Sequence, residues 1–151
     1  MHETVNYIIS FVYAAVLAGI PLLFGTLGEV ITEKAGNLNL GVEGMMYLGA
    51  IFGFWGGYIS GSPLVALAFA FLAGVAAALL YALLTVTLKA NQNVTGLTLT
   101  IFGTGLANYI GNSLILASPT RAAVLAPSVT DFFKPLRVPV LSDLPDRKSV
   151  V

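Results

Sequence analysis

A chain of 151 residues with 57% hydrophobic residues, 9% charged residues and no net charge departs from the roughly 25% charged residues of an ordinary soluble domain and reads as a membrane protein. It has no basic stripe, so it lacks the electrostatic footprint of a nucleic-acid binder. With no Cys and a single His, His2, disulfides, thiolate nucleophiles, histidine- or sulfur-ligated metals and a Ser-His couple are excluded, and no catalytic residue, metal or cofactor is expected.

Charge positions divide the chain. Residues 4–28, 44–88 and 90–120 are free of Asp, Glu, Lys and Arg, and each run exceeds the ~20 apolar residues that cross a hydrocarbon core. The middle run is too long for one crossing: at ~1.5 Å per residue it would make a rod of roughly 68 Å. It also contains Gly61-Ser62-Pro63, a turn signal beside the interface-seeking aromatics Trp55 and Tyr58. The expected fold is therefore all-α, a polytopic transmembrane helix bundle of about four spans at 5–27, 38–60, 63–88 and 94–117, followed by a proline-rich loop over 118–145.

The first span lacks the basic n-region of a secretory signal and reads as a retained anchor. Pro21 within it removes one backbone hydrogen bond, which membrane helices tolerate. Next, Thr26 with Glu29 reads as a capping box and Gly36 as a helix stop, with Asn37 or Asn39 capping the next helix, so a short separate helix and a break are expected before span two. Asn39, Glu43 and Tyr47 recur at four-residue spacing, which on one helix would aim a carboxylate into the bundle. Glu43 then reads either as a pathway group or as a carboxylate stabilised at a helix N-terminus.

Small residues repeat at four-residue spacing in three spans: Gly49, Gly53 and Gly57; Ala66, Ala70, Gly74, Ala78 and Ala82; Gly103, Ala107 and Gly111. Such stripes let helix backbones approach closely, so these faces are expected to pack against protein. Span four also carries Gly96, Thr100, Thr104, Asn108 and Asn112, a polar stripe that winds about 40° per step. It reads as a pathway lining or as hydrogen-bonding glue between helices.

The connections near Glu29–Asn37 and Lys89–Asn93 fall on one side of the membrane. The N-terminus, the Gly61 turn and the loop after span four fall on the other. Each short connection carries one Lys, whereas Arg121, Lys134 and Arg137 sit in the long loop, so charge counting leaves orientation open. Five of the seven prolines lie from Pro119 onward. In that loop Ser128 to Asp131 suggests the cap of a short interfacial helix, with Phe132, Phe133 and Leu136 resting on the membrane surface, or else a plain solvated loop.

The run from Gly28 to Met46, GEVITEKAGNLNLGVEGMM, resembles the signature of permease subunits of bacterial ABC importers for ribonucleosides and simple sugars. Two shorter matches, LKANQNVTGL from Leu88 and PVLSDLP from Pro139, accompany it, and the resemblance covers about residues 5–145. Ribose and branched-chain amino acid permeases are more distant relatives. The resemblance implies a plasma-membrane transport subunit carrying a nucleoside or sugar inward by alternating access. Its partners would be a separate ATP-binding subunit, an extracytoplasmic substrate-binding lipoprotein and a second permease subunit, the same or different. It places 28–37 and 89–93 in the cytoplasm and 118–145 outside. Family members run to about twice this length, so the chain reads as an N-terminal half. After Pro145 the pattern is lost: one reverse translation of Asp146–Val151 reads like a common sequencing adapter, so 146–151 are expected to be non-native read-through. No phosphate-binding loop is present, and ATP hydrolysis is expected elsewhere.

The residues singled out are Asn39, Glu43, Tyr47, Thr100, Thr104 and Asn108 for the substrate pathway. Lys34, Asn37, Lys89, Asn91 and Gln92 form the cytoplasmic-side motif, and Gly49, Gly53, Gly57, Gly103 and Gly111 serve helix packing. A branched-chain amino acid permease, a secondary transporter or small channel, and a structural membrane subunit are the competing readings. A membrane enzyme is disfavoured because no paired acid and base or metal-ligand cluster lies at membrane depth.

Overall fold

In the computed structural model, residues 2–118 and 121–134 are described. They form α1 (His2–Lys34), α2 (Val42–Ser60), α3 (Pro63–Ala82) with a π-helical continuation over Leu83–Thr87, α4 (Gln92–Ala117) and the short α5 (Pro127–Phe132), with no strand among them. The chain is an all-α membrane protein: Tyr7–Lys34, Pro63–Thr87 and Gln92–Ala117 are long and apolar enough to cross a bilayer. α2 is shorter, at 19 residues, and its apolarity is diluted by Glu43 and five glycines. Leu136, the 139–145 match and the 146–151 tail lie outside the described residues.

The chain divides into two compact units, residues 25–133 and residues 1–24 with 134–151. In the second, the described part of α1 exposes Tyr7, Phe11, Val16 and Leu22 at every angle. A helix that is apolar all round has no water-facing side and belongs in lipid.

α1 does not break where the sequence suggests. It runs without interruption through Thr26 and Glu29 to Lys34, and the Thr32 hydroxyl donates to Gly28 O within it (2.8 Å). Glu29 reaches a later segment instead of closing a capping box. The stop at Gly36 is as expected: Gly36 sits at φ +86°, Gly36 N donates to Glu33 O (2.9 Å) and Asn37 N to Thr32 O (3.0 Å). These are the paired 5→2 and 6→1 bonds of a Schellman stop, in which glycine supplies the left-handed residue without a Cβ clash.

Within residues 25–133, α2 is the central element. Its antiparallel partner α3 follows a tight turn, with Gly61 left-handed at φ +63° and Pro63 opening α3. The small stripes of the two helices meet: a Cβ on Gly53 would lie 3.0 Å from Ala70 Cβ, one on Gly57 would lie 3.2 Å from Ala66 Cβ, and one on Gly49 would lie 3.5 Å from Ala70 O. Beyond Ala70 the buried line moves to Ala77 and Tyr81, because four-residue steps drift around a 3.6-residue helix and i+3 steps must alternate with them. Gly74 accordingly has nothing within 4 Å of a built Cβ.

α4 lies on another face of α2 and runs parallel to it. Gly41 is beside Leu99 and Gly96, Gly44 beside Gly103, and Ile51 beside Gly111. A Cβ on Gly103 would come 2.5 Å from Gly44 O, and one on Gly44 would come 2.6 Å from Thr100 Cα, so neither glycine accepts a side chain while the backbones stay this close. Each heavy-atom pair contributes only ~0.1–0.2 kcal/mol of dispersion, so several turns of close approach are needed to hold the helices together.

α4 begins at Asn91, whose side chain accepts from Val94 N (3.1 Å) as an N-cap. At the far end of the bundle α5 starts at Pro127 with Ala126 as its N-cap, so Ser128 is not a cap. Its hydroxyl donates to Gly61 O (2.7 Å) and ties α5 to the α2–α3 turn. Val129 is the most buried side chain, at 1% exposure, while Phe132 and Phe133 stay exposed.

Candidate functional site

Between α1 and α2 the chain is not helical over residues 37–39. This extended segment runs alongside the first turns of α4: a Cβ on Gly96 would lie 2.8 Å from Leu40 N and 2.9 Å from Gly41 N. Backbone groups packed away from water are costly if left unpaired, so a non-helical stretch lying against α4 must find partners in the protein. Side chains supply them here. Gln92 accepts from Leu38 N (2.9 Å) and donates to Gly36 O (3.3 Å). The Tyr81 hydroxyl donates to Leu38 O (2.6 Å), and the Thr100 hydroxyl to Leu40 O (2.9 Å). Glu29 accepts from Asn39 N (2.7 Å). Asn39, itself buried, accepts from Gly41 N (2.9 Å) in an Asx turn that leads into α2. Among the described residues, no donor meets the buried acceptors Glu29 Oε2 and Asn37 Oδ1.

Farther along the same two helices, Tyr47, Ala50 and Ile51 of α2 face Ala107, Asn108, Gly111, Asn112 and Ile115 of α4 across a cleft of about 360 Å³. Its polar groups are one phenol and two carboxamides, with no charged residue. Carboxamides both donate and accept, and an aromatic face offers an apolar wall, so the cleft suits a neutral, hydroxyl-bearing molecule. A second cleft of about 440 Å³, bounded by Leu48, Phe52, Phe69, Leu72, Leu99 and Phe102 among others, has no polar side chain.

Of the residues singled out for the pathway, Tyr47 and Asn108 come together in the polar cleft, and Asn112 joins them. Thr100 bonds the extended segment, and Thr104 bonds the carbonyls of Thr100 (2.9 Å) and Ile101 (3.1 Å) in its own helix. Asn39 lies ahead of α2, which begins at Val42, so it does not share a helical face with Glu43 and Tyr47. Glu43 is exposed in the first turn of α2 and does not line the cleft. Of the other motif, Lys34 and Lys89 are exposed, Lys89 at φ 52°, Asn91 caps α4 and Gln92 holds the extended segment. Tyr81 and Gly44 were not picked out from sequence, while Glu29 was read as half of a capping box and Gly96 as part of the polar stripe of span four, neither as a partner of this segment. Tyr81 carried a usable signal, since a tyrosine hydroxyl in an otherwise apolar helix must find an acceptor.

A helical membrane protein with a neutral polar cleft between packed spans is compatible with many functions, and comparison with known proteins gives its family. The sequence profile described as "Branched-chain amino acid transport system / permease component" matches residues 8–133, and the chain belongs to that family. It is 42% identical over 107 residues to the "Putative glucose ABC transporter permease protein TsgC13" of Haloferax volcanii, covering 71% of this chain and 32% of that protein. It is 28% identical over 142 residues to the "Guanosine ABC transporter permease protein NupQ" of Bacillus subtilis, covering 90% of this chain and 41% of that protein. It is 32% identical over 96 residues to the "Nucleoside ABC transporter permease protein NupC" of Lactococcus lactis subsp. cremoris, covering 60% and 30%. The matched part thus spans about a third to two-fifths of each relative. No solved structure matches the chain.

Proposed function

We propose that this chain forms part of the permease subunit of an ATP-binding cassette importer that carries a nucleoside or simple sugar across the plasma membrane. ATP is hydrolysed on a separate subunit, an extracytoplasmic lipoprotein delivers the substrate, and a second permease subunit completes the pathway. In this reading α2 crosses the membrane together with α1, α3 and α4. Residues 28–37 and 89–93 face the cytoplasm and 118–145 face outside.

The observation that carries the substrate class is the neutral cleft of Tyr47, Asn108 and Asn112. A zwitterionic branched-chain amino acid loses its hydration on entering a bilayer-depth site and is held best by charged partners there, and no charged residue lines the cleft. Hydroxyl groups need only the amide and phenol partners this cleft presents. The relatives named as sugar and nucleoside permeases support the same choice.

The test is uptake by the intact permease carrying this segment, reconstituted with its ATP-binding subunit. Labelled nucleoside or labelled hexose is expected to accumulate in an ATP-dependent manner, and N108A with N112A to lower that uptake at least tenfold while the ATP-binding subunit still co-purifies. Leucine uptake in place of both, or indifference to the paired substitution, would contradict the reading.

A further inference from the structure

The polar stripe of α4 does two different things along its length, and Gln92 extends it by one step. Gln92, Gly96 and Thr100, at four-residue intervals, all meet the backbone of the extended segment: Gln92 at Gly36 and Leu38, Gly96 beneath Leu40 and Gly41, Thr100 at Leu40. Asn108 and Asn112, two and three turns farther on the same stripe, line the polar cleft opposite Tyr47. The extended segment leads through Gly41 directly into α2, whose second turn carries Tyr47. The register of that segment on α4 is coupled to the place of Tyr47 opposite Asn108 through the contact of Gly44 with Gly103, which lies between them.

We propose that Gln92 is a positioning residue of the transport pathway, its side-chain amide fixing the register of residues 36–41 on α4 and through α2 the width of the Tyr47–Asn108 cleft. The inference rests on the transport reading above. Gln92 contacts the segment through backbone groups only, and it uses both halves of its amide: the oxygen accepts from Leu38 N (2.9 Å) and the nitrogen donates to Gly36 O (3.3 Å). Glutamate keeps the acceptor and faces Gly36 O with a second oxygen; alanine loses both bonds. The neighbouring side-chain contacts from Tyr81, Thr100 and Glu29 each supply one bond, so among these described side chains Gln92 is the one that grips the segment at two points.

The experiment uses the intact transporter with its ATP-binding subunit in lipid nanodiscs and proteoliposomes, comparing wild type, Gln92→Ala, Gln92→Glu and Thr98→Val. Thr98 bonds only Val94 O of its own helix (2.8 Å) and serves as a control for substitution in this part of α4. Hydrogen exchange of the peptide holding residues 36–41 is expected to quicken at least tenfold in Gln92→Ala and less in Gln92→Glu. KM for labelled nucleoside or hexose is expected to rise at least fivefold in Gln92→Ala with the maximal rate changed less than twofold, and Thr98→Val to leave both readouts unchanged. If Gln92→Ala fails to assemble, Gln92→Glu carries the test with the same direction of change. Unchanged exchange and KM would overturn the proposal. So would faster exchange with unchanged KM, because Gln92 would then hold a loop without positioning the pathway. A wild-type transporter that accumulates neither nucleoside nor hexose marks failure of the transport reading instead, seen before any variant is made, and removes this proposal with it.

Discussion

At the residue scale, two kinds of glycine separate cleanly. Gly44 and Gly103 face each other's backbone across α2 and α4, whereas Gly74 and Gly105 have nothing within 4 Å of a built Cβ. Gly103→Ala is expected to lower stability by about 1–3 kcal/mol through overpacking. Gly74→Ala and Gly105→Ala are expected to leave it unchanged or raise it by up to ~1 kcal/mol from helix propensity. Thermal melting in detergent with a thiol-independent probe reads both. The hydroxyls divide in the same way. Tyr81→Phe and Thr100→Val each strip a carbonyl of the extended segment of its donor and are expected to cost about 1–3 kcal/mol. Thr98→Val removes a bond to an exposed helical carbonyl and is expected to stay within about 0.5 kcal/mol. The Gly49, Gly53 and Gly57 stripe was readable because it repeats at helical spacing. Gly44 and Gly96 were not singled out for close packing, because each one's partner lies more than fifty residues away and periodicity within one helix carries no information about it.

At the element scale, the sequence placed the stop at Gly36 and the turn at Gly61, since both need a left-handed residue that glycine supplies. Gly36→Val is expected to cost about 1 kcal/mol or more and to loosen residues 36–41, measurable as faster proteolysis or hydrogen exchange of that peptide. The expected break after residue 27 did not form. Thr26 and Glu29 carry a capping pattern, but extending a helix that is already formed gains a backbone hydrogen bond with each residue, and α1 continues to the stop at Gly36. Glu29 is thereby freed to accept from Asn39 N. The start of α2 at Val42, and not at residue 38, has a different origin: side chains of α1, α3 and α4 satisfy the extended backbone, and no local pattern reveals them. At the other end, Ser128→Ala removes the bond to Gly61 O. It is expected to raise hydrogen exchange in α5 severalfold while changing the melting temperature little, because Val129 remains packed near Gly57.

At the scale of the whole molecule, composition alone was enough to make lipid the solvent, and the small-residue stripes marked faces that pack against protein without naming which helix each one meets. The polar cleft was half legible. Tyr47 and Asn108 were named from spacing, but the same stripe also supplied Thr100 and Thr104, whose hydroxyls bond backbone carbonyls. Spacing alone does not distinguish a lining residue from a structural one, because the stripe winds about 40° per step, from the half-buried Thr100 and Thr104 to the exposed Asn108 and Asn112 beside the cleft. What distinguishes them is where α2 ends its close approach: backbone meets backbone at Gly44 and Gly103, and by Tyr47 and Asn108 the helices have opened a cleft of about 360 Å³.

The most direct measurement is a competition experiment on the intact permease reconstituted with its ATP-binding subunit, following ATP-dependent uptake of a labelled nucleoside and a labelled hexose against excess unlabelled nucleoside, hexose and leucine. Uptake of one of the two neutral substrates is expected, unaffected by leucine and reduced at least tenfold by N108A with N112A. Uptake blocked by leucine, or uptake indifferent to both asparagines, would contradict the assignment of the Tyr47, Asn108 and Asn112 cleft as a pathway for a neutral hydroxylated substrate.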